Sequence, residues 1–135
     1  MLNRPPPIPD VESAPFWEAC QRGKLLIQRC GDRYQFPPTS YCNHCPSIQP
    51  EWVESSGRGT VYSWIVVHVG IPRDIFGDQV PYVTALVTLE EGPRICTNLI
   101  GIDPRHIVPG MPVEVIYQPI GDGSIILPFF KPVTA

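Results

Sequence analysis

A chain of 135 residues has room for one ordinary domain or two very small ones. Hydrophobic residues make up 43% of it and charged residues 17%, which excludes a disordered chain and supplies a compact core. Ten Lys and Arg against 13 Asp and Glu give a net charge of −3, so the chain lacks the basic surface that a generic nucleic-acid binder needs.

No apolar stretch approaches the ~18 residues of a membrane span. The opening MLNRPPPIPD has no apolar core of a secretory signal, and a cytoplasmic setting is expected. Eighteen prolines and 11 glycines punctuate the sequence at short intervals, a texture that suits many short strands. The expected fold class is mainly β.

In chain order, residues 1–12 read as an extended, polyproline-like arm with little fixed structure of its own. A short helix follows, with Ser13 as N-cap, Pro15 in the first turn and Gly23 as the stop; Phe16, Trp17 and Cys20 are its anchors. Lys24–Arg29 is strand-like, Tyr34-Gln35-Phe36-Pro37-Pro38 returns, and Glu51–Glu54 is another short strand. Cys42-Asn43-His44-Cys45 between them is a Cys-x-x-Cys knuckle, with Cys30 twelve residues before it. Five cysteines, an odd number, disfavour a secreted disulfide framework, and the knuckle points first to a metal site. Strand, knuckle and strand over residues 13–56 follow the plan of a zinc ribbon, a unit too small to fold on hydrophobic burial alone.

From Gly57 the texture changes. Arg58–Val69 is a long strand rich in β-branched and aromatic residues. Val80–Leu89 follows with Val83, Ala85, Val87 and Leu89 on one face, then Pro93–Ile100, Pro112–Gln118 and Ser124–Phe130. Five strands without an intervening helix of length predict a five-stranded OB-fold barrel over residues 57–135.

The run Phe16-Trp17, Gly23 to Cys30, Phe36-Pro37-Pro38, Cys42-x-x-Cys45, Glu51-Trp52 and Ser56 to Tyr62 closely resembles the acyl-CoA-associated OB-fold proteins that carry an N-terminal rubredoxin-like zinc ribbon. Pro81-Tyr82-Val83, Gly110 to Val115 and Leu127-Pro128-Phe129 resemble that family too, so the likeness spans residues 13–131. It implies a partner subunit of a thiolase-like acyl-CoA enzyme: a ketothiolase, aldolase or acyltransferase, with some members joined to acyl-CoA hydratases. The implied role is to stabilise or complete the partner's active site, with a coenzyme A thioester as a candidate ligand.

The family pattern has two Cys-x-x-Cys knuckles, and the first here reads Cys30-Gly31-Asp32-Arg33. Cys30, Cys42 and Cys45 remain as candidate zinc ligands, one short of the four that a structural site needs. Asp32, His44, Cys20 or a water would have to supply the fourth; otherwise the cysteines are small buried hydrophobes and packing holds the ribbon. Both readings stand.

No Gly-x-Ser-x-Gly, His-Glu-x-x-His or phosphate loop is present, and His68 and His106 have no nucleophile partner in sequence, so no catalytic residue is expected. Cys96, mid-strand among apolar neighbours, reads as an inert buried thiol. Arg58, between two glycines, reads as a contact for a coenzyme A phosphate or as a solvated hinge residue. Lys24 and Arg29, with Arg22 and Arg33, form either a patch for the same phosphates or a solvated face. Phe16, Trp17, Phe36 and Tyr82 are the candidate anchors of a partner interface. Two other functions compete: an OB-fold nucleic-acid binder, disfavoured by the charge, and a stand-alone acyl-CoA-binding protein.

Overall fold

A computed structural model describes residues 2–46 and 48–134. Helix α1 (Ala14–Gln21) begins where Asp10 and Ser13 bond reciprocally. The Ser13 N–H donates to Asp10 Oδ1 at 2.8 Å and the Asp10 N–H donates to Ser13 Oγ at 3.1 Å. Pro15 sits in the first turn, where its missing N–H costs nothing. Gly23 ends the helix at φ +70°, a conformation that an L side chain resists. The helix buries Phe16, Ala19 and Cys20.

The ribbon sheet has β1 (Leu26–Cys30) at its centre, flanked by β2 (Arg33–Gln35) and β3 (Glu51–Glu54), both antiparallel to it. The barrel comprises β4 (Arg58–Val67), β5 (Tyr82–Leu89), β6 (Arg94–Leu99), β7 (Pro112–Ile120) and β8 (Ile125–Pro132). Its closed order is β4-β5-β6-β8-β7, with β4 returning to β7. The pairs are antiparallel except β6 with β8, which run parallel where Leu99 faces Phe130. Closure leaves no free sheet edge and gives the five-stranded OB barrel expected from the sequence.

Strand β4 serves two partners. Arg58–Thr60 pair with β7 and Gly59–Val67 with β5, with a bulge between Val61 and Ser63. Gly59 is obligatory there: a Cβ would meet the Thr88 carbonyl oxygen and Val87 Cγ1 of β5. A four-residue helix α2 (Arg73–Phe76), absent from the sequence-based expectation, lies between β4 and β5. The bonds preceding Pro37, Pro72 and Pro81 are cis.

Helix, ribbon and barrel share one core. Phe16, Cys20, Leu25 and Ile27 form a continuous buried cluster with Val83, Val87, Val113 and Phe130. At the joint, Glu91 accepts hydrogen bonds from Ser55 Oγ and the Ser56 N–H, both at 2.8 Å. The N-terminal arm is extended, as its prolines require, yet it is not loose. Leu2 bridges to Ile120, the Gly121 N–H donates to Leu2 O, and Gln79 Nε2 donates to Asn3 O. The arm has no regular element over residues 3–10, in line with an extended segment, and its backbone at Leu2 and Asn3 finds partners on the barrel and beside β5.

Candidate functional site: an aromatic cleft beside the ribbon

Trp17, Phe36 and Tyr82, far apart in sequence, line a single cleft of about 590 Å³ between α1, the ribbon and the barrel. Phe16 lines it too, but at 4% exposure it belongs to the core. It supports the cleft wall from behind, stacking edge-on to Trp17 at 4.9 Å and against Phe36 at 5.5 Å. As a surface anchor for a partner Phe16 is therefore corrected, whereas Trp17, Phe36 and Tyr82 are half-buried.

The barrel side of the cleft comes from β5, β6 and β8: Thr84, Ile95, Thr97, Leu127 and Phe129. Next to it the outer face of the barrel carries exposed apolar groups. Tyr62 is 54% exposed, Ile65 62% and Leu86 36%. Ile65 pairs with Thr84, and Leu86 with Cys96, so this patch runs into the cleft wall without interruption. Cys96 is exposed and not buried as expected. The period of two sends Ile95 and Thr97 inward and leaves Cys96 on the outer face.

Sequence reasoning missed Arg4. Its guanidinium enters the cleft from the arm, donating from Nε to Gln79 Oε1 at 2.8 Å and from Nη1 to Asn98 Oδ1 at 2.7 Å. It lies 5.1 Å from the Phe76 ring centroid, 5.3 Å from Tyr82 and 5.5 Å from Phe129. Burial lowers its pKa from the ordinary arginine value, with the Tyr82 hydroxyl opposing. No local signal marks a single arginine inside a proline-rich arm.

The cations expected to hold coenzyme A phosphates lie elsewhere. Arg29 is committed to Glu51 across the β1–β3 ladder, donating from Nε at 2.8 Å. Lys24 is exposed, and Arg58 lines a separate hollow with Thr60, Glu90 and Pro112. None of the three lines the aromatic cleft.

At the knuckle, Cys42 Sγ accepts the N–H groups of His44 and Cys45, each at 3.4 Å. Burial and the neighbouring Cys42 push the Cys30 thiol up to about 11. For Cys42 burial acts in the same upward sense, but the Cys30 thiol, the two N–H donors and the Arg33 guanidinium outweigh it and lower the pKa. Arg33, at the position of the family's missing cysteine, has Nη1 3.1 Å from His44 Nδ1. A guanidinium is always cationic, so this contact uses Nδ1 as the acceptor, and the Arg33 charge acts on the Cys42 thiol. Cys20 is fully buried in the shared core, its thiol pushed up to about 12 by burial. Cys30 interacts electrostatically with both Cys42 and Cys45, so the three predicted thiols lie near one another, but among the described residues no group of three or more His, Cys, Asp or Glu side chains has the arrangement to hold a metal ion. The donors present do not fit a closed four-ligand zinc site.

A buried amide network ties the ribbon together instead. Gln35 Nε2 donates to Gln28 Oε1 at 2.8 Å, Thr39 Oγ1 at 3.0 Å and Tyr41 O at 3.1 Å. Its Oε1 accepts from the Asn43 N–H at 2.9 Å and from the Cys30 thiol at 3.6 Å. Gln28 in turn clasps Thr39, receiving its N–H at 2.9 Å and donating to its carbonyl at 2.8 Å. Gln28 is 3% exposed and Gln35 4%, and every buried side-chain polar atom among the described residues has a partner.

Residues 17–50 match the profile "ChsH2, rubredoxin-like zinc ribbon domain", and residues 52–118 match "ChsH2, C-terminal OB-fold domain". A "DUF35 domain-containing scaffold protein" of Methanocaldococcus jannaschii is 38% identical over 79% of this chain and 77% of its own length. The chain belongs to the DUF35 family. A "Probable enoyl-CoA hydratase alpha subunit" of Thermomonospora curvata is 42% identical over 96% of this chain, which spans only 40% of that protein's length. Among solved structures, a chain of "Ltp2-ChsH2(DUF35) aldolase" superposes with a TM-score of 0.84 at 38% identity, covering 95% of this chain and 99% of that one. No helix among the described residues is long and apolar enough to cross a membrane.

Proposed function

We propose that this chain is a non-catalytic accessory subunit that docks on a thiolase-fold acyl-CoA enzyme and stabilises or completes it. The observation that carries the reading is the exposed apolar face of the barrel. Tyr62, Ile65 and Leu86 stand outward on its strands and continue into the cleft beside Trp17, Phe36 and Tyr82. A contiguous apolar face with aromatic anchors is the usual make-up of an interface centre. Supporting it, the fold matches, almost end to end, a chain of an aldolase assembly, and relatives carry hydratase-subunit and scaffold names. No Glu, Asp or His is among the residues that line the cleft. If an acyl thioester reaches this chain, Lys24 and Arg58 are, of the three cations nominated from the sequence, the two without an ion pair among the described residues.

The test is co-purification with thiolase-fold enzymes of the native host. Trp17→Ala and Ile65→Glu are expected to lower recovery of the partner at least tenfold, whereas Glu90→Gln, exposed and away from the cleft, leaves it unchanged. Glu91 is unsuitable as a control because it clamps Ser55 and Ser56. Full activity of every thiolase-fold candidate without this chain, together with no co-elution, refutes the reading.

A further inference from the structure

The aromatic cleft holds one charged side chain, and it is a cation. No Asp or Glu lines the space, although the chain as a whole is acidic, and the one charge comes from Arg4. Asp78 lines a neighbouring hollow that Arg4 and Tyr82 also line, but no ion pair among the described residues reaches Arg4. Of the five N–H donors of its guanidinium, the side chains of Gln79 and Asn98 take one each, both as neutral amides. Arg4 also lines the cleft walled by Phe16, Trp17, Phe36, Leu127 and Phe129, and no hydrogen bond to its remaining donors is seen among the described residues. A part-buried guanidinium without an ion-pair partner is stabilised by an anion through charge-assisted hydrogen bonds.

We propose that this cleft binds an apolar molecule that ends in a single carboxylate, with Arg4 gripping the carboxylate and the aromatic walls covering the hydrocarbon. The volume, about 590 Å³, lies in the ~300–1,000 Å³ range of small-molecule sites. One guanidinium balances one negative charge and its planar fork fits a carboxylate in two parallel hydrogen bonds. A phosphate dianion calls for a second cation, and the cleft has none. The bonds to Gln79 and Asn98 and the three nearby rings restrain the Arg4 side chain, which lowers the entropy lost on binding. Gln79, which itself bonds Asn3 O and Ile75 O, holds the arm and α2 against the guanidinium, so the arm forms one wall of the site. Trp17, Phe36 and Tyr82, the anchors of the proposed partner interface, wall the same cleft, so the binding is tested on the chain without a partner.

Calorimetric titration of the full chain with octanoate, octylammonium and 1-octanol tests it. Octanoate is expected to bind saturably at one molecule per chain, and octylammonium at least tenfold more weakly. Arg4→Gln, which retains an amide for Asn98 and lies in the exposed arm, is expected to weaken octanoate at least tenfold and leave 1-octanol unchanged. Comparison of the three probes on the unmodified chain decides the question even if the variant releases the arm. Equal affinity for octanoate and octylammonium, or no saturable octanoate binding up to millimolar concentration, overturns the proposal. An acidic segment of a protein as the sole occupant gives the second of these results.

Discussion

Replacing Gln35 by Leu probes what holds the ribbon. Leu has nearly the volume of Gln, so the change removes polar partners and leaves no large cavity. The network loses the bonds from Gln35 Nε2 to Gln28, Thr39 and Tyr41 and the bond accepted from the Asn43 N–H. Gln28 Oε1 keeps the Thr39 N–H, and Tyr41 O keeps the Thr39 hydroxyl, so few groups are left fully orphaned. Three to four net hydrogen bonds at ~1 kcal/mol each, offset by ~1 kcal/mol from burying the leucine, give a loss of about 2–3 kcal/mol. With an m value of ~1.5 kcal/mol/M, the urea midpoint is expected to fall by ~1.5–2 M. Hydrogen exchange should quicken in residues 26–45 before it quickens in the barrel, since the network lies wholly within the ribbon. A loss under ~1 kcal/mol, with the unmodified chain losing more than that on metal chelation, refutes the reasoning and shows a ribbon that hangs on metal.

The metal itself gives a second expectation. Protein purified without chelator should hold far less than one zinc per chain by elemental analysis, while Arg33→Cys, which supplies a fourth thiol, should take up close to one. Stoichiometric zinc in the unmodified chain contradicts this. Alkaline pH gives a third. Burial holds the folded Cys20 thiol at about 12, against ~8.5 unfolded. Its contribution to stability is therefore whole below the unfolded value and is lost as pH rises towards 12. Urea midpoints measured from about pH 8 to 11 should fall with rising pH, and less steeply in Cys20→Ala. Tyr117, also pushed up to about 12 by burial, adds to the same limb, so the midpoint still falls with pH in that variant.

Strand periodicity made most of the barrel legible in the sequence. Val83, Ala85, Val87 and Leu89 were placed on one face by alternation alone, and all four are buried, because a barrel strand has a single core face. The same rule, applied to Cys96, would have turned it outward; its apolar neighbours misled, since their burial comes from the opposite face of the strand. Helix α1 was legible from Ser13, Pro15 and Gly23, which act within a few residues of one another. The knuckle and its missing cysteine were equally plain, since Cys30, Arg33, Cys42 and Cys45 are a matter of spacing.

What the tertiary structure alone decided are the meetings between distant segments. Arg4 reaches Asn98 across 94 residues and Gln79 across 75, and no local pattern encodes a contact at such separation. Gln28 and Gln35 look like polar residues on short, half-exposed strands until the fold over Thr39, Tyr41 and Asn43 encloses them. Trp17, Phe36 and Tyr82 could be nominated as aromatic anchors from composition, but only the packing of α1 and the ribbon on the barrel brings them to one cleft, and only that packing sinks Phe16 into the core. Local geometry and alternation are short-range consequences of backbone stereochemistry, so the sequence carries them directly. The cleft and its single cation arise from long-range burial, whose partners are chosen when the chain closes on itself.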